Sequence, residues 1–428
     1  MFPVWFGITK INLKKFWLLN IISRNNFKKG NKMDNMKISQ KVKNLKLSPI
    51  RKVFNKVAQL RSKGMEVIDF SIGRPFFDTP STIKEETKKA LDKGMVHYTG
   101  SSGTIELRNA ITQRILVDKG VKYDPDEIIV TIGGTEGMFV AIQTLLSPGD
   151  EVIVPDPMYV YYKGWINYAG AKCIPLPLKE EDFSLDIEGL KKYINSSTKM
   201  ILINSPHNPT GSVFSRQDLE KVVELSKKYD LFILSDEIYQ RITYDNCKAF
   251  SIASLPEMKE RTIISDSFSK TYAMDGWRMG YLAAPREIIS QIAKLHQHTI
   301  SCPNTFIQVG ATAALNQDQQ YVENMVIEFT RRRELTISYL KRMKISFIKP
   351  KGAFYVFPSI REFGLNSEEF ADYLLEEARV AVVPGNAFGD SGEGYIRLSF
   401  TPPYEEIEQG LKRMEIAIGR LRKDRIHL

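Results

Sequence analysis

A lysine set among small and hydroxylated residues is the first sign of chemistry in this chain. In "SFSKTYAMDGWRMG" (267–280), Lys270 lies between the apolar runs "RTIIS" and "MGYLAAP", and Arg278 follows on the same stretch. Each run reads as a short buried strand, so the turn carrying Lys270 sits at a strand end, close to a core. Burial disfavours the charged form of an amine and moves its pKa toward the range where it acts as a nucleophile. Most lysines are simply solvated, so the neighbours decide what Lys270 does.

Other apolar runs end on residues of the same kind. "EIIVTI" leads into "GGTEG" (133–137), where glycines precede a helix start whose free N–H groups and dipole suit an anion. "MILIN" is followed by "SPHNPTG", containing Asn208, and "LFILS" by "DEIY", containing Asp236 and Tyr239. Ligands of open α/β sheets bind outside the carboxyl ends of the strands. That rim therefore offers an anion cradle (Gly134, Thr135, Ser267, Arg278), a carboxylate (Asp236), two hydrogen-bonding groups (Asn208, Tyr239) and an amine (Lys270). The inventory meets the needs of pyridoxal 5′-phosphate. That cofactor asks for a phosphate cup, an acid for its ring nitrogen, donors for its phenolic oxygen and a lysine for its aldehyde.

The elements that must position these groups alternate along the chain. Leu107, Ile111 and Ile115 recur as on one face of a helix, and "RQDLEKVVELSKKYD" reads as another. "EVIVP", "KMILINS", "LFILSD", "RTIISD" and "MGYLAAP" are short apolar runs. The alternation predicts an α/β fold with a mostly parallel sheet covered by helices on both faces. Near the end, Ile407, Leu411, Met414, Ile418 and Leu421 predict an amphipathic helix. "SEEFADYLLEEA" (367–378) predicts a second, capped by Asn366 with Glu369 three residues on. A large domain is expected over 76–319 and a smaller α+β domain over 320–428.

Composition narrows the class. The 428 residues are 43% hydrophobic and 26% charged, the balance of a globular protein with a large core. The apolar run "FWLLNII" (16–22) is far too short for a membrane span and is followed by no clean signal cleavage site. Residues 1–36 hold seven Lys/Arg against one Asp, so six of the ten net positive charges sit there. The remainder is nearly balanced, which argues against a nucleic-acid surface. Residues 1–33 are expected to be a basic leader outside the fold, from a misplaced start or a tail. Cys173, Cys247 and Cys302 are widely spaced and odd in number, which suits a reducing, cytoplasmic setting rather than disulfides or zinc. His296 and His298 do not share a helical face, so no metal pair is expected there.

Taken together, the chain resembles the fold-type I, aspartate-aminotransferase-like family of pyridoxal-phosphate enzymes over roughly residues 36–428. The motifs that carry the resemblance are "IDFSIGRPFFDTP", "HYTGSSGTIELR", "TIGGTEG", "PGDEVIVPDPMY", "NSPHNPTG", "SDEIY", "SFSKTYAMDGWRMGY", "GAFYVFP", "VVPGNAFG" and "YIRLSF", in the family's order. The resemblance implies a seven-stranded-type sheet in the large domain and a small domain built from both chain ends, 34–75 joining 320–428. It implies that Lys270 bonds the cofactor and moves the α-proton, and that Asp236 holds the pyridine nitrogen protonated. Tyr239 and Asn208 would bind the phenolic oxygen, and Tyr159 would stack on the ring. Ser267, Arg278, Gly134, Thr135 and the Glu136 amide would hold the phosphate. Tyr98 would reach the phosphate of the other subunit, which makes a homodimer part of the site. Arg397 would pair with the substrate α-carboxylate, near Gly73.

The implied activity is transamination between an L-amino acid and a 2-oxo acid. Thr135 cannot supply the charge that a lysine gives some relatives at that position. Arg74 in "GRP" stands where those relatives commonly have Glu, and is taken as a reader of a second carboxylate. Aspartate or glutamate with 2-oxoglutarate is the expected pair, with alanine or aromatic donors, or a C–S lyase on the same fold, as alternatives. A ligand-sensing regulator is the rival from another class, but the short basic leader is too small for a winged helix-turn-helix. A Rossmann dehydrogenase fails because "GGTEG" lacks the full glycine spacing.

Overall fold

The structure, a computed structural model, describes residues 37–317 and 319–426. The expected leader, 1–33, lies outside the described residues. Residues 1–45 and 46–428 are separate units, and the described part of the first holds one helical turn, Gln40–Lys43. All that follows concerns residues 46–428.

Strand β1 (Ile68–Asp69) stands apart from the main sheet. That sheet comprises β2 (Ile128–Thr131), β3 (Glu151–Asp156), β4 (Lys172–Pro177), β5 (Thr198–Asn204), β6 (Phe232–Asp236), β7 (Thr262–Ser267) and β8 (Gly280–Ala283). Its order is β2-β8-β7-β6-β5-β3-β4. Strands β3 to β7 pair in parallel, as expected from their unbroken apolar runs, while β8 is antiparallel to both β7 and β2. The link from β7 to β8 holds only a four-residue helix, too little for a crossover, so the chain must return in the opposite sense.

Successive side chains of a strand face opposite sides, so each run feeds two cores. Ile129, Val152, Val154, Leu202, Leu234, Ile263 and Leu282 pack on one side. On the other, Ile153, Ile201, Ile203 and Ile233 form one cluster and Ile128, Val130, Ile264 and Ala283 another. Strand β4 was not legible as an apolar run. It is an edge strand with alternate residues exposed and with Pro175 and Pro177 in it, a composition only an edge tolerates.

The helices that bear on the site are α1 (Ile50–Ser62), α2 (Ile105–Lys119), α3 (Gly133–Leu145), α4 (Tyr162–Tyr168) and α5 (Phe268–Thr271). Further along, β9 (Tyr355–Val356), β10 (Val380–Ala381), β11 (Val383–Pro384) and β12 (Ile396–Ser399) complete the strands of the described residues. Strand β1 pairs in parallel with β10, while β9, β12 and β11 form an antiparallel sheet. They share a core of Ile68, Phe70, Phe329, Phe354, Phe370, Leu411 and Met414 with the helices Gln319–Arg342 and Tyr404–Ile426. The expected cap before Ser367 is present as a reciprocal box between Asn366 and Glu369. The helix narrows to α form only through Tyr373 and continues as a wider π turn over Leu374–Ala378.

An ion cluster lies behind the ends of β6 and β7. Lys119, the last residue of α2, is buried and donates to Glu237 Oε2 at 2.8 Å, to Asp266 Oδ2 at 3.0 Å and to the Gln240 side-chain oxygen. Ser235 and Ser251 hydroxyls donate to Glu237 Oε1, and Tyr281 donates to Asp266 Oδ2. Burial alone would push the Lys119 amine down, but Asp266 and Glu237 outweigh it and hold its pKa above the usual value. Removing one partner of a buried ion cluster leaves the others uncompensated. Lys119→Met is expected to cost about 3–5 kcal/mol, read as the urea unfolding midpoint. Adding Asp266→Asn should recover part of that loss, and a wild-type midpoint in the single variant would contradict the account.

Candidate active site

The strand ends open on a cavity of about 430 Å³. At its base, β5 and β6 are in register so that Asn204 lies beside Asp236. Asn204 donates from its amide to the Asp236 carbonyl at 3.0 Å, and its side-chain oxygen takes the Asn208 N–H at 2.9 Å. Asp236 is only 9% exposed. Burial pushes its carboxyl up to about 6, against the Tyr162 hydroxyl, which donates to Oδ2 at 2.5 Å, and the Ile238 N–H. A cation held opposite this carboxylate would pull the value back down.

Lys270 on α5 donates from Nζ to the Gly73 carbonyl at 2.7 Å. Its pKa is lowered to about 8 by burial, with Arg397 and Arg278 pushing the same way and Asp275 and Asp236 opposing. Arg397 on β12 is 2% exposed and donates to Asn208 Oδ1 at 3.0 Å and to the Ser71 carbonyl at 2.8 Å. Its Nε is buried without a hydrogen-bond partner among the described residues, so the fork is left short of an acceptor. Tyr239 and Tyr355 share a hydroxyl–hydroxyl contact of 2.9 Å, and the Arg397 guanidinium lies 4.4 Å from the Tyr355 ring centre.

The anion cradle is made by close backbone approach. Gly133 has φ +74, and a Cβ there would meet Arg278 Nη2 at 2.5 Å. Gly280 is opposite both Thr131 and Ser267, and a Cβ on it would meet the Gly133 carbonyl carbon and Gly134 N at 2.7 Å. No side chain fits between β8 and the first turn of α3. Arg278 itself is left-handed (φ 54) and donates to the Asp275 carbonyl at 3.0 Å, which turns its guanidinium to the start of α3. These features fit pyridoxal phosphate: free amides and a guanidinium for its phosphate, Asp236 for its ring nitrogen and Lys270 for its aldehyde.

Of the residues expected from the sequence, Gly73, Gly134, Thr135, Tyr159, Asn208, Asp236, Tyr239, Lys270, Arg278 and Arg397 line this cavity. Ser267 caps α5, accepting from the Ser269 N–H, and the neighbouring Ser269 lines the cavity wall. The Glu136 side chain turns away to His296 Nδ1 and the Ile132 N–H. Tyr98 is 89% exposed, and Arg74 is exposed with its guanidinium over the Phe76 ring; neither lines the cavity. Sequence reasoning missed Tyr162, Asn204, Ser71, Tyr355 and the segment of α1 that carries Arg51 and Phe54. Tyr162 had a signal, since it lies three residues after Tyr159 in "PMYVYY".

The family model "Aminotransferase class I and II" matches residues 65–414. The chain belongs to that family. Aspartate aminotransferase of Pyrococcus abyssi is 44% identical over 89% of this chain and 98% of its own length. Aromatic-amino-acid aminotransferase 2 of Thermococcus litoralis is 42% identical over 89% of this chain and 98% of its own. The crystal structure of the aromatic aminotransferase from Pyrococcus horikoshii superposes with a TM-score of 0.82 at 43% identity, over 87% of this chain and 100% of that one. This aminotransferase is pyridoxal-phosphate-dependent and transfers an amino group between an amino acid and a 2-oxo acid.

The lowered pKa of Lys270 has a direct consequence for loading. Only the free amine attacks an aldehyde, and it becomes scarcer as pH falls below about 8. The rate at which cofactor-free aminotransferase takes up pyridoxal phosphate, followed by absorbance, should rise about tenfold per pH unit below the Lys270 pKa and level above it. A flat profile from pH 6 to 9 would contradict the assignment.

Proposed function

We propose that this aminotransferase uses aspartate or glutamate as amino donor and 2-oxoglutarate as acceptor. The observation that carries the reading is the convergence of Lys270, Asp236 and the under-partnered Arg397 on one cavity. Relatives named for aspartate support the donor class. A second reading, aromatic donors, is supported by the ring wall of Tyr159, Tyr161 and Trp165, with Tyr161 and Trp165 stacked at 5.6 Å, and by relatives named for aromatic substrates.

In the proposed mechanism the Arg397 fork takes the α-carboxylate, whose oxygens satisfy the buried Nε that lacks a partner. Asn208, already bonded to Arg397, ties the carboxylate site to the cofactor site. Pyridoxal phosphate, when bound, supplies an aldehyde to take up the amino group and a ring that withdraws electrons from the α-carbon. Lys270 Nζ removes the α-proton as base and later returns a proton as acid, a dual task suited to an amine held near 8. Asp236 holds a proton on the ring nitrogen, and the Tyr162 hydroxyl fixes the orientation of its carboxylate. Tyr239, with Tyr355 behind it, donates to the phenolic oxygen. Gly134, Thr135, the Glu136 amide, Ser267 and Arg278 would hold the phosphate, Tyr159 would stack on the ring and Gly73 would lie near the carboxylate.

We further propose a homodimer in which the exposed Tyr98 reaches the partner's phosphate, and a small domain of 34–75 with 320–428 beside a large one of 76–319. The β1–β10 pairing supports joining the two chain ends. A cytoplasmic location is proposed from the cysteine usage. Among the described residues no helix is long and apolar enough to cross a membrane.

The test is a panel of amino donors against 2-oxoglutarate, oxaloacetate and pyruvate, reporting kcat/KM. Aspartate and glutamate should lead, and a lead by phenylalanine or tyrosine would favour the second reading. Release of ammonia or sulfide in place of an exchanged 2-oxo acid would overturn both. In the same assay Asp236→Asn should load cofactor yet lose roughly a hundredfold or more in kcat, because an amide cannot hold the ring proton.

A further inference from the structure

The cations that line the cavity are Arg51, Lys270, Arg278 and Arg397. The mechanism uses Lys270 at the aldehyde, Arg278 at the phosphate and Arg397 at the α-carboxylate. Arg51 is left over. Its guanidinium makes no hydrogen bond or ion pair among the described residues. Its helix supplies no acid in the first turn to neutralise it.

The helix that carries Arg51 is fixed on its other faces. Val57 is buried with Val67, Leu375 and Ala381, and Val53 and Leu60 pack against them. Lys52 pairs with Glu368 at 3.6 Å, and Lys56 pairs with Asp372. Those two lysines are spent on Ser367–Tyr373, while Arg51 and Phe54, three residues apart, share the face turned to the cavity. Ser48 and Ile50 line the same wall. A free guanidinium on the same helix face as the Phe54 ring matches a substrate that has methylene groups ending in a second carboxylate.

We propose that Arg51, and not Arg74, reads the distal carboxylate of the dicarboxylic amino acid and its 2-oxo acid. The inference deepens the aspartate/glutamate reading above and rests on it. Arg74 is outside the cavity lining with its guanidinium over Phe76, whereas Arg51 is inside it with no partner. Arg51 is exposed in the ligand-free chain, so its pairing is weaker than a fully buried one. The discrimination it supplies is about tenfold and falls with added salt.

The experiment uses the cofactor-loaded protein. In Arg51→Ala the ratio of kcat/KM for aspartate to that for alanine should fall about tenfold. Arg51→Lys should restore part of it, and Lys52→Ala, which removes a cation already spent on Glu368, should keep the wild-type ratio. Equilibrium binding of maleate, an unreactive dicarboxylate, is measured beside acetate by the change in cofactor absorbance. Maleate should weaken about tenfold in Arg51→Ala relative to acetate. Equal weakening of maleate and acetate, or none, overturns the role of Arg51 whichever donor proves physiological. If aspartate is a poor donor for the wild-type protein but maleate binding still depends on Arg51, the donor assignment falls and the carboxylate-reading role stands.

Discussion

Three carboxylates crowd the ends of two neighbouring strands: Asp236 as the last residue of β6, Glu237 just after it, and Asp266 one residue before the end of β7. Burial and mutual repulsion raise the pKa of Asp236 and of Asp266, so without a counter-charge such a cluster would take up protons. Lys119 supplies the counter-charge from behind the sheet and satisfies Glu237 and Asp266 together. Asp236 then remains the carboxylate that faces the cavity, with Tyr162 and the Ile238 N–H as its fixed donors. Two further cavity groups are positioned from these same strand ends. Asn208 is tied through Asn204 to β6, and Lys270 hangs from the end of β7.

The reversed strand β8 completes the arrangement. Because the chain turns back after α5, Gly280 is brought against the Gly133–Gly134 turn, and Arg278 two residues earlier is aimed at the same turn. Arg278 and Lys270 thus come from one short segment, 267–280, that begins and ends on paired strands and meets the Gly133–Gly134 turn. The Arg397 side of the cavity is built differently. Arg397 comes from β12 and is held by Asn208 and the Ser71 carbonyl, groups far apart in sequence. The two halves of the site meet only because β1, β10 and β12 gather the two ends of the chain around one core.

Much of this was legible in the residues. Asp236, Asn208 and Lys270 each follow an unbroken apolar run, and such runs mark strands buried on both faces. The antiparallel sense of β8 was not legible, since a run of buried residues says nothing of direction. Strand β4 escaped because an edge strand alternates and tolerates proline. Tyr162 escaped because its contact to Asp236 spans 74 residues and lies on a helix rather than a strand end. Arg74 drew attention through the motif around Gly73, yet exposure and the Phe76 ring account for it. Arg51 sits in an ordinary amphipathic helix, and only the packing of Val57 and the pairing of Lys52 and Lys56 reveal which face is left over.

The contrast between Gly280 and Arg51 separates what this chain can vary from what it cannot. A side chain at Gly280 collides with backbone, and a change at Lys119 leaves buried charges bare, so both positions tie chemistry to folding. Arg51 is exposed, so replacing it should cost the fold little. On the proposed role of Arg51, substrate preference is set on the cavity face of α1, apart from the positions that hold the reacting groups. On that same role, a gene duplicate of this sequence could shift its donor by one substitution at Arg51 while Gly280 and Lys119 stay fixed.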